Sequence, residues 1–267
     1  MGRYRMDKES RDAAASGEER VGVRAVERAA DILTCLGKAE MNLSEIGKEV
    51  GLNKATVFRM LVSLERKGFV TKDESSGKYS LDWGILGLFS GVLYQNQGLV
   101  KSAYPYMEKL WKHSSETITL YVRKGLDRLC IAELPSPHPL KYTVGIGVTV
   151  PLHAGSPGKL ILAYMPPEEI AEVLDHIELN RLTGKTITSR EALLQELQSI
   201  REQGWATSFG ERIAGVSSLS VPVTDRENRV VASLNILGPY VRLGEERLMG
   251  YLDMLKEAGR GISNRYF

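Results

Sequence analysis

The sequence predicts an α+β fold in two units, and three observations carry that prediction. Short helical segments crowd residues 23–67, a hairpin pattern follows at 69–81, and strands interleave with helices beyond residue 98. A chain of 267 residues is long enough for one large or two modest domains with real cores. The expected division is a disordered tail at 1–20, a three-helix unit with a hairpin at 21–82, a linker helix at 83–97, and a unit built on an antiparallel sheet at 98–267.

Each element has a local cause. Residues 1–20 set five Lys/Arg against five Asp/Glu with Gly, Ser and Ala between them, so no apolar stripe can be buried and a disordered tail is expected. "VRAVERAADILTCLG" (23–37) places Val26, Ala29, Ala30, Leu33 and Leu36 at helical spacing and ends on Gly37. "NLSEIGKEV" offers Asn42 as N-cap with Glu45 three residues on, a capping box, and Leu43, Ile46 and Val50 as its inner face. After the short link Gly51-Leu52, Asn53 can cap a third helix whose Val57, Leu61 and Leu64 face inward. Gly68 suits the position just past that helix. "FVTKDESSGKYSL" then reads as two strands around a Ser-Ser-Gly turn. Three short helices and a hairpin in this order make a winged helix-turn-helix, a DNA-binding arrangement.

The second half changes texture. "DWGILGLFSGVLYQNQ" reads as an apolar connecting helix, followed by a separate helix at 99–114. Strands "TITLYVR" and "RLCIAEL" flank the turn "KGLD". "LKYTVGIGVTVPLHAGSPGKLILAYM" is a strand and a glycine-rich loop leading into a helix, and "PPEEIAEVLDHI" is a short helix. Thr188 and Glu191 suggest a capping box opening a helix at 189–203. Strands "SLSVPVT" and "VVASLNIL" flank "DRENR", and an amphipathic helix closes the chain. Locally paired strands between helices argue for an antiparallel sheet.

Composition excludes several classes. Hydrophobic residues at 43% and charged residues at 25% are ordinary for a globular protein. A net charge of +2 does not mark a nucleic-acid binder, so any basic footprint must be local. The two cysteines, Cys35 and Cys130, give no disulfide framework and fit a reducing compartment. The first twenty residues have no apolar core and are no signal peptide. "WGILGLFSGVL" at 83–93 is too short to span a bilayer. A soluble cytoplasmic chain is expected.

"VRAVERAADIL", "LSEIGKEVGLNKATVFRMLVSLERKGFV" and "KYSLDWGILGL" resemble the amino-terminal half of the IclR (isocitrate lyase regulator) family of bacterial transcription factors. "PLHAGSPGKLILAYM", "GWATSFGERIAGVSSLSVPV" and "VASLNILGP" resemble that family's effector-binding half, and the likeness runs over residues 22–264. It implies a winged helix-turn-helix, a linker helix and a carboxy-terminal GAF-like α/β domain, with no cofactor. Residues 53–68 carry Lys54, Arg59, Arg66 and Lys67 against Glu65, a balance of +3 that a solvated face could share. The resemblance implies a recognition surface of Asn53, Lys54, Thr56 and Arg59, with Lys72 and Lys78 of the wing on the phosphate backbone. A capping or packing role is the alternative for Thr56. A palindromic operator read by a dimer or a dimer of dimers is expected, since one helix covers few base pairs. The linker residues Leu86, Phe89 and Leu93 are the expected pairing face.

For the second unit, "GSPGK" fails as a P-loop: Gly155 is followed by two residues instead of four before Gly158-Lys159, and Leu160 replaces the Ser/Thr. What remains is a glycine loop at a helix N-terminus, either a tight turn or a carboxylate seat. The resemblance places Ser156, Pro157, Ser208, Ser218, Asn235 and Leu237 at ligand-contacting positions. Serine hydroxyls and an amide suit a small organic acid, held by the loop without any buried arginine. An enzyme using Cys130 and His153 is the rival, but Cys130 sits in a strand pattern where a buried thiol is the simpler reading. His113, His138, His153 and His176 lack zinc-ligand spacing.

Overall fold

The computed structural model describes residues 23–267. The tail expected over 1–20 lies outside the described residues. The chain divides into two compact units, one ending at Tyr94 and the other starting at Gln95.

The first unit holds α1 (Arg24–Leu36), β1 (Met41–Asn42), α2 (Leu43–Glu49), α3 (Lys54–Arg66), β2 (Val70–Lys72) and β3 (Lys78–Leu81). The two-residue β1, which the sequence reading missed, pairs with β3, so the hairpin grows into a sheet ordered β1-β3-β2. Asn42 Oδ1 accepts the amides of Ser44 and Glu45 at 2.9 and 3.1 Å, and Glu45 accepts the Asn42 amide at 2.8 Å, which completes the expected box. Asn53 Oδ1 caps α3 by accepting from the Thr56 amide at 2.9 Å. At the far end Gly68 takes a φ of +70°. Its N–H reaches Glu65 O and the Phe69 N–H reaches Leu64 O, closing α3 with a Schellman pair.

Val57, Leu61 and Leu64 are buried as expected, together with Ile46, Val70 and Tyr79. The stripe expected on α1 holds at Ala29, Leu33 and Leu36 and fails at Val26 and Ala30. Val26 and Ala30 are exposed, and Ile32, Cys35 and Leu36 enter the core with Ala29 and Leu33 beside them. That helix is apolar on more than one side, so spacing alone left the width of its inner face open.

The boundary between the units falls inside α4 (Gly84–Ser114). The sequence reading split this segment into two helices, and the structure makes it one. The second unit continues with β4 (Thr117–Lys124), β5 (Asp127–Leu134), β6 (Thr149–Pro151), α5 (Ser156–Ala163), α6 (Pro167–His176), α7 (Arg190–Gln203), β7 (Ala206–Phe209), β8 (Val216–Thr224), β9 (Val230–Pro239), α8 (Glu245–Met249) and α9 (Leu252–Tyr266). The short β7 was not foreseen. The cap of α7 is Ser189 rather than Thr188, its Oγ accepting the Ala192 amide at 3.3 Å.

The strands form one antiparallel sheet ordered β6-β5-β4-β9-β8-β7. Because side chains alternate across a strand, the sheet has two unlike faces. Ile118, Leu120, Leu219, Val221, Leu234 and Ile236 pack with Leu99, Ala103, Met107 and Leu110 of α4 and with Leu255, Ala258 and Ile262 of α9. On the other side α5, α6 and α7 supply Leu160, Val173, Leu193 and Ile200 to a second core with Tyr121, Cys130 and Val150. Beneath α5, however, the strands present hydroxyls instead of methyls.

Lys159, the lysine of the failed P-loop, is buried within α5. Its ammonium pairs with Glu196 of α7 at 2.6 Å and Glu211 after β7 at 2.7 Å. Removing one partner of a buried pair leaves the other charge stranded. Lys159→Met is therefore expected to destabilise the second unit by about 3 kcal/mol in urea unfolding. A change under about 0.5 kcal/mol, the range of an ordinary surface substitution, would show that solvent already screens the triad.

Candidate DNA-recognition helix and small-molecule cleft

The N-terminal turn of α3 is the open end of the first unit. Asn53, Lys54, Phe58 and Arg59 are exposed and Thr56 is half-buried, while Val57 anchors the same turn in the core. The cap occupies Asn53 Oδ1, so the amide nitrogen is what Asn53 can offer a phosphate. Thr56 contributes its backbone N–H to that cap. Phe58 is half exposed between Lys54 and Arg59, one turn along. The sequence reading gave it no role. An outward phenylalanine there can touch a thymine methyl.

On the wing, Asp73 holds the turn. Its carboxylate accepts the Ser75 hydroxyl and the Ser75 and Ser76 amides at 2.6 to 2.9 Å, and these donors hold its carboxyl down to about 2. Lys78 is exposed, whereas the Lys72 ammonium is paired with Glu74 at 3.0 Å. An exposed pair of this kind exchanges readily for a phosphate.

The cleft of the second unit grows out of the sheet register. Ser208 stands opposite Ser218, Ser218 opposite Leu237, and Leu237 opposite Thr117, giving one row across four strands. The next row in runs Ser220, Asn235, Thr119. The first row reaches the cleft and the second does not. Ser208, Ser218, Leu237 and Pro157 line it together with Tyr121, Arg128, Tyr142 and Arg212, and Val144, Ile213 and Val216 complete its apolar wall. Its free volume is small, about 40 Å³.

Two residues assigned by resemblance lie behind this lining. Asn235 is fully buried, its amide donating to Thr119 O at 3.1 Å and Ser233 O at 3.0 Å and its carbonyl accepting from Ser233 Oγ at 2.7 Å. Ser156 Oγ lies 2.7 Å from Ser218 Oγ and accepts from Ser220 Oγ at 2.6 Å. Ser156 thus orients Ser218 from behind.

The α5 N-terminus offers less to an anion than the sequence suggested. The Gly155 amide donates to Glu211 Oε2 at 3.1 Å, and Pro157 has no N–H. The expectation of a cleft without a buried arginine is overturned. Arg128, at the start of β5, is only 2% exposed. One Nη donates to Pro151 O, and the guanidinium stands 5.3 Å from the centre of the Tyr121 ring. Its Nε is the one buried side-chain nitrogen or oxygen without a hydrogen-bond partner among the described residues. Burial pushes the Arg128 pKa down to about 10 and that of the Tyr121 hydroxyl up to about 12. At neutral pH the cleft therefore holds a charged guanidinium and a protonated phenol. The arginine also explains the glycines, because a Cβ on Gly158 would overlap Leu152 O and an Arg128 Nη.

The residues of the rival enzyme reading are placed otherwise. Burial pushes the Cys130 thiol up to about 12, which leaves it protonated and unreactive at neutral pH. Burial also lowers the His153 pKa, and its Nε2 sits 3.1 Å from Asn180 O. Among the described residues no His, Cys, Asp and Glu group could hold a metal ion, and no helix is long and apolar enough to cross a membrane.

Comparison with known proteins agrees with both halves. Residues 25–74 match the IclR helix-turn-helix domain, and residues 92–264 match the bacterial transcriptional regulator IclR C-terminal domain. The chain is 36% identical to the HTH-type transcriptional regulator KdgR of Escherichia coli over 87% of its own length and 88% of that protein's. It is 32% identical to the HTH-type transcriptional regulator KipR of Bacillus subtilis, over 86% of this chain and 91% of that one. An IclR transcriptional regulator from Alicyclobacillus acidocaldarius superposes with a TM-score of 0.80 at 28% identity, covering 92% of this chain and all of that one. A helix-turn-helix followed by an effector-binding domain, shared with named regulators over nearly the whole length, makes this chain a member of the IclR family of bacterial transcriptional regulators.

Proposed function

We propose that this regulator reads a palindromic operator in duplex DNA as a symmetric dimer or dimer of dimers, and that a small organic acid bound in the second unit's cleft sets its affinity for that operator. The observation that carries the DNA half is the capped, exposed N-terminal turn of α3, with Lys54 and Arg59 projecting from a buried Val57 anchor. Such a turn brings a helix end and two cations to the major groove, where an arginine can take a guanine edge in a bidentate pair. Asn53 and Thr56 sit at the phosphate-facing end, and Lys78 and Lys72 extend the contact along the wing. Two copies are needed because one helix covers few base pairs.

Pairing through the start of α4 has support in exposed apolar surface. Trp83, Leu86 and Leu88 are each more than half exposed. The side chains of Phe89 and Leu93, expected on one face with Leu86, lie outside the described residues.

The acid half rests on the lining of the cleft. It presents two arginines, two tyrosines and two serines, and none of its lining residues is a carboxylate. A carboxylate can take charge-assisted hydrogen bonds from a guanidinium, which a sugar or an amide meets only with weaker neutral acceptors. The cleft has no acid-base pair poised for turnover, which fits binding without catalysis.

Two outcomes test this reading. Arg59→Ala should weaken operator binding by about 1–3 kcal/mol and relax the preference at one base position, as read by gel shift against single-base operator variants. Equal loss on operator and random DNA would make Arg59 a phosphate contact instead. In a thermal-shift screen of paired acids and amides, the acids should raise the melting temperature of the second unit. Stabilisation by the amides or by polyols alone would remove the organic acid from the proposal and leave the DNA half standing.

A further inference from the structure

A buried guanidinium ordinarily has an acid beside it, because burying a charge costs far less when it is paired and hydrogen-bonded. The other deeply buried cation of this unit obeys that rule, since Lys159 has two carboxylates. Arg128 does not. It is equally buried, and among the described residues none of the ion pairs includes it. Its Nε–H has no partner, and the side chain lines the cleft next to a second guanidinium, that of Arg212, which stands 5.4 Å from the Tyr142 ring. The structure around Arg128 keeps it there. Pro151 O holds one Nη, Tyr121 lies against its face, and the absence of a Cβ at Gly158 leaves it room. A residue held in place with a donor left over is preorganised for an acceptor that arrives from outside.

We infer that Arg128 is the anion anchor of the cleft: its guanidinium receives the carboxylate of a small hydroxy- or oxo-acid, while the hydroxyls of Tyr121, Ser208 and Ser218 take the acid's remaining oxygens. The planar fork of an arginine matches a carboxylate through two parallel hydrogen bonds. Tyr121 stays a donor because its phenol remains protonated. The apolar wall of Val144, Val216 and Leu237 excludes water from the pair and rejects a bulkier polar ligand. This assignment rests on the organic-acid reading above and adds to it the residue that makes the choice.

The test uses the full chain with glycolate, lactate and pyruvate as probes, each beside its own amide and beside inorganic phosphate. Thermal shift and calorimetric titration are run on the wild type, Arg128→Gln and Arg128→Lys. At least one acid should bind the wild type, its amide should not, and Arg128→Gln should weaken that acid at least tenfold, with partial recovery in Arg128→Lys. Should the glutamine variant fail to fold, the side-chain Nε–H resonance of Arg128 in the ¹⁵N-labelled wild type gives the same answer. It should move downfield when the acid is added, and an unmoved resonance overturns the assignment. Equal acid binding by wild type and a folded Arg128→Gln also overturns it, and leaves the organic-acid reading intact. No response to any acid overturns both. A response to phosphate alone, lost in the glutamine variant, overturns the carboxylate as the occupant.

Discussion

The guanidinium of Arg128 lies beneath the turn that opens α5, and much of the second unit is arranged around that contact. A side chain this large fits only because Gly158, in the first turn of α5, has no Cβ. Once the arginine is in place, α5 cannot rest on a wholly apolar sheet surface. The strands beneath it supply Ser208, Ser218, Ser220 and Thr119; the Ser218 and Ser220 hydroxyls meet Ser156, and the Thr119 hydroxyl accepts from the Asn235 amide. A buried polar layer is tolerable only when its members are satisfied, and the second row of this sheet satisfies its own. The Lys159 triad then fixes α5 to α7 and to the segment after β7. The cleft is what remains at the edge of this layer, where the network stops short of Arg128 Nε.

The two units do different physical work. In the first, two capped helices and a wing hold a few side chains outward from a small apolar core, which suits contact with a polyanion. In the second, polar groups converge inward on a cleft. A ligand bound there alters DNA affinity only to the extent that it binds one arrangement of the regulator better than another, since equal affinity shifts nothing. The boundary between the units lies within the 31 residues of α4, so one continuous element belongs to both.

How much was legible in the sequence follows from how local each cause is. The Asn42-Glu45 box, the Asn53 cap, Gly68 and the Ser-Ser-Gly wing turn depend on neighbours within a few residues, and each was readable. The rows of the large sheet were readable in part, because alternation along "SLSVPVT" and "VVASLNIL" separates Ser218 from Leu219 and Asn235 from Ile236. The width of the inner face of α1 was not, because spacing alone does not choose Ile32 and Cys35 over Val26 and Ala30 as the neighbours of Ala29, Leu33 and Leu36. Nor was the continuity of α4. The two helices expected there would part at Gly98, but the Tyr266 ring of α9 packs where its Cβ would stand, so a long-range contact sets that residue and not a turn. Arg128 was the largest omission. Beside the "KGLD" turn it reads as a surface charge, and only the packing of residues 151–158 against β5 buries it.

The most direct measurement is linkage between the two sites in the full chain. Affinity for a duplex selected from a random pool is titrated with and without an acid that stabilises the cleft, and the acid's own affinity is titrated with and without that duplex. Coupled sites must shift each other by the same factor, roughly 5–150-fold for allosteric proteins. A reciprocal shift of that kind is the expected result. A saturating acid that leaves DNA affinity unchanged, on a chain that binds both, would contradict the regulator described above.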